Sequence, residues 1–377
     1  MARGENALIA VAGAPTAVTN NVIVGILDER EGSGEIYGAV SGLAGALDGR
    51  LVDLGAPKRK TIEGLRRTPG SVLGGRVRYL GEADEAPFIA ALKNRSIGTL
   101  FLTGGLPAIE LGRFAFNAAK SQNYELSVLV VPASPENEVM AGDHCVGYGS
   151  AARAAALYAR DGARGAQGGE EPIVVLEVGG AGAGWLAAST ALARGEGNAA
   201  PHSILLPERA VDVDELVEET RRAFQKYGYA LLVTTDGAQS SDGASLNGSS
   251  LADVLAERLN LPTRYDRIGL ISSVSGANIA RADADEAYSL GGLVARLAEE
   301  EASGYVVALN RADEGRGERG YKVNEATLRL EQVEEFPRVF PEEFLSPTGT
   351  NVSEAFLDWV RPLAGGALPE YAALGNE

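Results

Sequence analysis

Short runs of consecutive apolar residues alternate along the chain with longer helix-forming stretches. The runs at 7–11, 97–102, 127–131, 173–178, 203–206, 230–234 and 304–309 are mostly apolar throughout rather than alternating. Parallel strands buried on both faces have that pattern. Ala- and Leu-rich stretches at 151–159, 213–226, 251–259 and 284–300 predict helices between them. Such alternation predicts right-handed βαβ units, hence an α/β protein with helices on both faces of its sheets. Ligands in such sheets sit outside the carboxyl ends of the strands, so chemistry is expected there. Two segments, 160–172 (RDGARGAQGGEEP) and 310–322 (NRADEGRGERGYK), are rich in glycine and charge and predict loops. The first is expected to separate two α/β halves, and no short-period repeat is visible.

Composition narrows the class. With 377 residues and 45% apolar side chains the chain can bury a sizeable core, which excludes disorder. Its 34 basic and 51 acidic residues give a net charge of −17. That balance argues against nucleic-acid binding, which draws on neutralised phosphates. An anionic small molecule stays open, because a local pocket can oppose the global field. The single cysteine, Cys145, excludes an internal disulfide framework and a cysteine-based zinc site. His144 and His202 are the only histidines, too few for a histidine-rich metal cluster. No run of 18 apolar residues predicts a membrane span. The first residues, MARGENALIAVAG, lack the long apolar core of a signal peptide, so the cytoplasm is the expected compartment.

Four strand ends carry unusual residues. After the first strand, Gly13-Ala14-Pro15-Thr16 leads towards a helix, and small residues there let backbone N–H groups approach a phosphate. A plain βα turn reads the same way. After Thr103, Gly104 and Gly105 permit close backbone approach to a ligand, or simply a tight turn. After Val131 comes Pro132-Ala133-Ser134-Pro135-Glu136-Asn137-Glu138, followed by Asp143 and His144. Its carboxylates could supply a general base and oxygen ligands for Mg2+, or form a solvated acidic loop. His144 reads as a hydrogen-bonded structural residue and Cys145 as a small buried hydrophobe. After Glu177-Val178 comes Gly179-Gly180-Ala181-Gly182-Ala183-Gly184-Trp185. Its loose match to a dinucleotide fingerprint lacks the ribose-binding acid at the right distance.

Taken in order, these motifs resemble the phosphofructokinase family, nearest the branch with pyrophosphate-dependent members, over nearly the whole chain. Gly13 to Asn20 is similar to the family's glycine loop, and Leu73-Gly74-Gly75-Arg76 to its LGSSR loop. The GGDG or GGDD motif falls on Gly104-Gly105-Leu106-Pro107, and PKTIDND on Pro132 to Glu138. Asp143, Gly147-Tyr148 and Ser150-Ala151 follow D-x-x-x-G-F-x-T-A. EVMGRHAGWLA falls on Glu177 to Ala187, IPE on Leu206-Pro207-Glu208, and SEGA on Thr235 to Ala238. The tail from Phe356 to Tyr371 resembles that branch's C-terminal segment.

The resemblance implies two doubly wound, mostly parallel-sheet lobes with an active-site cleft between them. A donor-binding lobe is expected over 1–160, a substrate lobe over 173–335, and a tail packing back over 336–377. It implies Glu136, Glu138 and Ser134 as catalytic residues, and Gly13, Arg76, Gly104 and Gly105 around the phosphoryl donor, ATP or pyrophosphate. It implies Gly179, Gly180, Glu208 and Asn137 around the substrate, and Glu138 and Asp143 near Mg2+. Family members form homo-oligomers, so a dimer or tetramer is expected, or pairing with a phosphofructokinase paralogue.

The departures bear on function. The family's metal-binding Asp is Leu106, which cannot ligate Mg2+. The second Asp of GGDD is Pro107, and the Lys of PKTIDND is Ala133. The Arg of MGR is Ala181, and the Arg of LGxxQRGG falls near Ser273. The two TIDND aspartates are Glu136 and Glu138, each longer by one methylene, which shifts the reacting geometry by about an ångström. Pro135 fixes the backbone just before the expected base. Phosphoryl transfer rests on positioning and charge neutralisation, and four neutralising groups are absent together. Ordinary phosphorylation of fructose 6-phosphate is therefore not expected. Two readings follow: a divergent phosphotransferase acting on another sugar, sugar phosphate or hydroxylated small molecule, or a non-catalytic regulatory or ligand-binding subunit.

Overall fold

The computed structural model describes residues 5–180, 182–195, 198–312, 320–347 and 349–371. It has two compact units. The first takes the chain up to Tyr148 and again from Ser273 through the last two strands to Pro337. The second takes Gly149–Ser272 and the chain from Arg338 onward.

The first unit is built on a seven-stranded sheet. Its strands are β1 (Asn6–Ala12), β2 (Ile36–Ala39), β3 (Leu51–Asp53), β4 (Ile97–Gly104), β5 (Ser127–Pro132), β10 (Tyr305–Arg311) and β11 (Val323–Arg329). Their order is β11-β10-β5-β4-β1-β2-β3, parallel except for β3 and β11 at the two edges. Alternation along each strand explains why the runs read as continuously apolar. Leu8, Ala10 and Ala12 enter one core, with Leu100, Leu102, Val128 and Val130. Ala7, Ile9 and Val11 enter the core on the opposite face, with Phe101, Leu129 and Val131. Both faces are covered, so neither set can be polar.

The second core is closed by helices Thr19–Glu29 and Arg281–Glu299. These approach so closely that a Cβ on Gly25 would lie 2.2 Å from the Tyr288 carbonyl oxygen, and one on Gly291 would lie 2.3 Å from that of Val22. Only glycine at both positions permits that contact.

The second unit has a four-stranded parallel sheet of β6 (Ile173–Val178), β7 (Ser203–Ile204), β8 (Ala230–Thr235) and β9 (Thr263–Arg267), in the order β7-β8-β6-β9. Helices Val213–Tyr227 and Gly248–Leu259 pack on it through Leu216, Val217, Leu251 and Leu255. Each starts where the sequence supplies an N-cap. Asp212 accepts the Glu215 N–H, and Asn247 accepts the Ser250 N–H. The tail packs on this unit through an aromatic cluster in which Trp185 lies 5.0 Å from Phe340 and 5.2 Å from Trp359, between ring centroids.

The α/β class and the parallel sheets are as expected. Three expectations are corrected. The segment 160–166 is helical, the last part of helix Tyr148–Ala166, because Ala163 and Ala166 continue its buried face beneath the surface glycines. The run at 203–206 pairs only over Ser203–Ile204. The compact units also depart from limits at 1–160 and 173–335. The first unit already ends at Tyr148, and helix Arg281–Glu299 with β10 and β11 returns to the first sheet. Of the expected loop at 310–322, Asn310 and Arg311 finish β10, and 313–319 lie outside the described residues. Among the described residues no helix is long and apolar enough to cross a membrane.

Candidate active site

In the first sheet the chain runs from β1 to β2 on one side and reaches β4 on the other. The strand order therefore reverses between β1 and β4, and the carboxyl ends of these strands flank a topological switch point, the place where ligands bind in open α/β sheets. Gly13 follows β1, and Gly104 and Gly105 end β4. A Cβ on Gly13 would sit 3.6 Å from the Gly105 amide nitrogen, so the two turns touch. The Gly13 N–H donates to the Gly75 carbonyl at 3.0 Å, which brings the loop carrying the exposed Arg76 to the same place. That loop is held from behind by Asn20, whose amide donates to the Thr68 carbonyl and accepts the Val72 N–H. The four residues expected around a phosphoryl donor are thus together, with Arg76 supplying positive charge in a strongly acidic protein.

The segment after β5 closes onto this corner. The Ala133 N–H donates to the Gly104 carbonyl at 2.8 Å, and the Ser134 N–H to the Val146 carbonyl at 3.0 Å. The Ser134 hydroxyl accepts the Glu136 N–H at 3.2 Å. Asn137 adopts the left-handed backbone, with φ 55°, which asparagine tolerates better than most residues. Its side-chain oxygen accepts the Cys145 N–H at 2.8 Å. The loop is therefore pinned at both ends and in the middle, with Glu136 half-buried upon it.

Glu138 reaches back to β4. Its carboxylate accepts the Leu106 N–H at 3.0 Å, at the first turn of helix Leu106–Ser121, which has no side-chain cap of its own at Gly105. A carboxylate there satisfies an otherwise orphaned N–H and meets the positive end of the helix dipole. Burial raises the pKa of Glu138, against the lowering effect of the Leu106 amide and the Ser134 hydroxyl. The fit is tight: a Cβ on Gly105 would lie 1.9 Å from a Glu138 carboxylate oxygen. Gly105→Ala is expected to push the carboxylate away and lower stability by about 1–2 kcal/mol, the typical worth of a lost cap or charged hydrogen bond. Chemical denaturation checks this, and unchanged stability would show that the carboxylate has another resting place.

Two expected ligands have other settings. Asn137 is fully buried and its side-chain oxygen is turned inward on Cys145, so it shapes the loop. Asp143 accepts from His144 Nδ1 at 3.0 Å and pairs with Arg311 at 3.4 Å, so its carboxylate is already engaged within the protein. His144 is buried and also joins Glu286 through Nε2 at 2.9 Å, while Glu286 accepts the Tyr321 hydroxyl at 2.6 Å. Burial alone would lower the His144 pKa, but the two flanking carboxylates outweigh it and raise it to about 9. Beside this group, Asp283 accepts the Gly147 N–H at 2.6 Å. Glu286, Arg311 and Tyr321 had no signal in the sequence, because they stand more than 140 positions from His144. Cys145 is buried, as expected.

In the second unit, β6 ends in the glycine-rich turn. Gly180 has φ 122°, and a Cβ there would lie 2.6 Å from the Ala183 carbonyl oxygen. Glu208 braces the turn: one carboxylate oxygen accepts the Gly184 N–H at 2.9 Å and the Phe340 N–H at 3.0 Å. The other is buried with no hydrogen-bond partner among the described residues. Gly179, Gly180 and Glu208 are therefore brought together, and Ala181 lies outside the described residues. At the strand end Glu177 pairs with Arg267 at 2.9 Å and accepts the Gly248 N–H at 2.7 Å, tying β6 to β9 and to the helix that follows β8. Ser273 is a buried hydroxyl.

A family model described as phosphofructokinase matches residues 6–283. The chain belongs to the phosphofructokinase family. Among relatives, it is 27% identical over 408 residues to a pyrophosphate–fructose 6-phosphate 1-phosphotransferase of Methylococcus capsulatus, covering 99% of this chain and 96% of the relative. It is 28% identical over 319 residues to a sulfofructose kinase of Alkalicoccus urumqiensis, covering 81% and 83% respectively. A crystal structure of a pyrophosphate-dependent phosphofructokinase from Nitrosospira multiformis superposes with a TM-score of 0.89 at 24% identity, over 98% of this chain and 94% of that one. That superposition establishes the fold. The protein is phosphofructokinase-like along its length, and these two relatives carry the names of a phosphotransferase and a kinase.

Proposed function

We propose that this protein is a phosphotransferase that moves a phosphoryl group from ATP or pyrophosphate to a hydroxyl of a sugar-like acceptor other than fructose 6-phosphate. The observation that carries the reading is the loop after β5. It is pinned by Ser134, Asn137 and the Val146 carbonyl beside the Gly13, Gly75 and Gly104–Gly105 turns, and it holds a half-buried carboxylate, Glu136, at a switch point.

In the proposed reaction the glycine turns and Arg76 hold the donor. Glu136 takes the proton of the acceptor hydroxyl as its oxygen bonds to phosphorus and the bond from phosphorus to the donor's bridging oxygen breaks. Among the described residues no three side chains are arranged as metal ligands. Glu138, whose carboxylate lies at the Gly105–Leu106 turn, is the residue that would hold Mg2+ beside the donor. When bound it would offset charge on the donor.

Gly179, Gly180 and Glu208 are proposed to face the acceptor. The neutral Ala181 and Ser273 stand where the family resemblance calls for arginines, so the far end of the acceptor is proposed to carry less charge than a phosphate dianion. A relative named for sulfofructose is consistent with that, since a sulfonate carries a single charge. The competing reading, a non-catalytic subunit of a phosphofructokinase assembly, draws on Leu106 and on the use of Glu138 as a helix cap. Phosphoryl transfer from ATP and from pyrophosphate, measured over fructose 6-phosphate, a 6-sulfonated fructose and unphosphorylated sugars, separates them. We expect an acceptor other than fructose 6-phosphate to have the highest kcat/KM. Preference for fructose 6-phosphate would overturn the acceptor proposal, and no turnover with any pair would favour the subunit.

A further inference from the structure

Three buried polar side chains, Thr19, Asn20 and Asn21, open helix Thr19–Glu29, directly before the core residues Val22 and Ile23. Asparagine is a modest helix former, and burying its amide is costly unless hydrogen bonds replace water. Both amides are engaged by one segment, 66–72, which leads into the loop carrying Arg76. Asn20 donates to the Thr68 carbonyl at 2.8 Å and accepts the Val72 N–H at 3.0 Å. Asn21 donates to the Arg66 carbonyl at 3.3 Å and accepts from Arg66 Nε at 3.2 Å.

The Asn20 amide bridges the two groups that a helical turn would join directly, across Pro69, Gly70 and Ser71. Gly70, at φ 77°, makes the reversal. The chain then runs straight into the donor loop. Leu73 is buried and its carbonyl accepts the Ser41 N–H at 2.6 Å, and the Gly75 carbonyl accepts the Gly13 N–H. A Cβ on Gly42 would lie 2.1 Å from the Arg76 carbonyl oxygen, so the loop has little room to shift. At the other end of the segment, Arg66 pairs with Asp285 at 3.3 Å and lies 4.4 Å from the centre of the Tyr288 ring. A planar guanidinium can stack and bond at its edge together, and here that ties the segment to helix Arg281–Glu299.

We propose that Asn20 is a positioning residue for the phosphoryl donor, with Asn21 and Arg66 securing the same segment behind it. Its amide fixes the turn at 68–72 and thereby sets Arg76 against the Gly13 and Gly104–Gly105 turns. This role rests on the reading that Arg76 and those turns hold the donor. Asn20 is fully buried, with its amide on the loop backbone, so it acts through Arg76 and not by contact. Misplacing a positioned group by about 1 Å can cost a hundredfold. A smaller loss is expected here, because the Gly13 bond still holds Gly75.

Calorimetric titration of the full chain with pyrophosphate and with ATP, each with Mg2+, reads donor affinity without turnover. Asn20→Ala should weaken the better donor about tenfold, the worth of one hydrogen bond, and leave the acceptor KM unchanged. In a double-mutant cycle the same substitution should have no further effect once Arg76→Gln is in place, because residues acting through one contact are not additive. Arg66→Lys keeps the charge and loses the planar contacts, so it should weaken the donor about threefold. It carries the test should Asn20→Ala not fold. Equal losses with and without Arg76 would overturn action through that arginine. Donor and acceptor affinities falling together would reduce the clamp to general support and overturn the proposal. If neither pyrophosphate nor ATP binds the wild type, the donor reading falls and the positioning role with it.

Discussion

Glu136→Gln should lower the kcat of phosphoryl transfer by roughly a thousandfold, the middle of the range for removing a general base, while the protein stays folded. Glutamine keeps the size of the side chain and loses the negative charge, and with it the ability to take a proton. The backbone at this position is anchored by other groups, since the Glu136 N–H is held by the Ser134 hydroxyl and the next residue is tied to Cys145. Glu138→Gln provides the contrast. That carboxylate is engaged with the Leu106 amide, so its loss should act on stability and on donor binding more than on proton transfer. Steady-state kinetics with the best acceptor, beside melting curves, distinguish the two. A drop of less than tenfold for Glu136→Gln would place the base elsewhere on the loop.

The parts of this arrangement that were legible in the sequence are those written in adjacent residues. Runs such as 97–102 and 127–131 announce buried strands because both faces of the sheet are covered. Strands β3 and β9 were invisible for the same reason in reverse. Leu51–Asp53 is three residues long at an edge, and Thr263–Arg267 (TRYDR) is charged and half exposed. The strand ends were readable because their glycines and carboxylates sit together in the chain. The direction of each side chain was not. An asparagine and an aspartate seven residues from Glu136 or nearer look like ligands on paper, yet Asn137 folds inward on Cys145 and Asp143 turns to His144 and Arg311. The setting of Asp143 depends on β10 returning to the first sheet with Arg311, and no local pattern encodes that return. The glycines in 160–166 misled for a related reason. Glycine lowers helix propensity by about 1 kcal/mol, and tertiary burial of Ala163 and Ala166 overrides it.

Stability should also depend on pH in a way that traces to His144. Its imidazole lies buried between Asp143 and Glu286, with Arg311 beyond the first carboxylate and Tyr321 beyond the second. The folded protein holds the proton up to about pH 9, whereas the unfolded chain releases it near 6.5. Between those values the native state binds more protons than the unfolded state, so stability falls as pH rises. The stabilising contribution is complete below pH 6.5 and gone above about 9, a difference of roughly 3 kcal/mol by linkage. The denaturant midpoint of the wild type should therefore decline across this window. His144→Gln should be less stable at pH 6, because two buried carboxylates lose their shared cation, and its midpoint should be flatter with pH. Taking the difference between the two proteins cancels the groups remote from His144 that titrate in the same range. Parallel curves would show that His144 is neutral in the native state, with one of its carboxylates carrying the proton instead. Since Gly147, three residues on, is bonded to Asp283 at the start of helix Arg281–Glu299, the same loss should loosen the loop that carries Glu136. Activity is then expected to be lower in the variant than in the wild type below about pH 9, and to change less with pH.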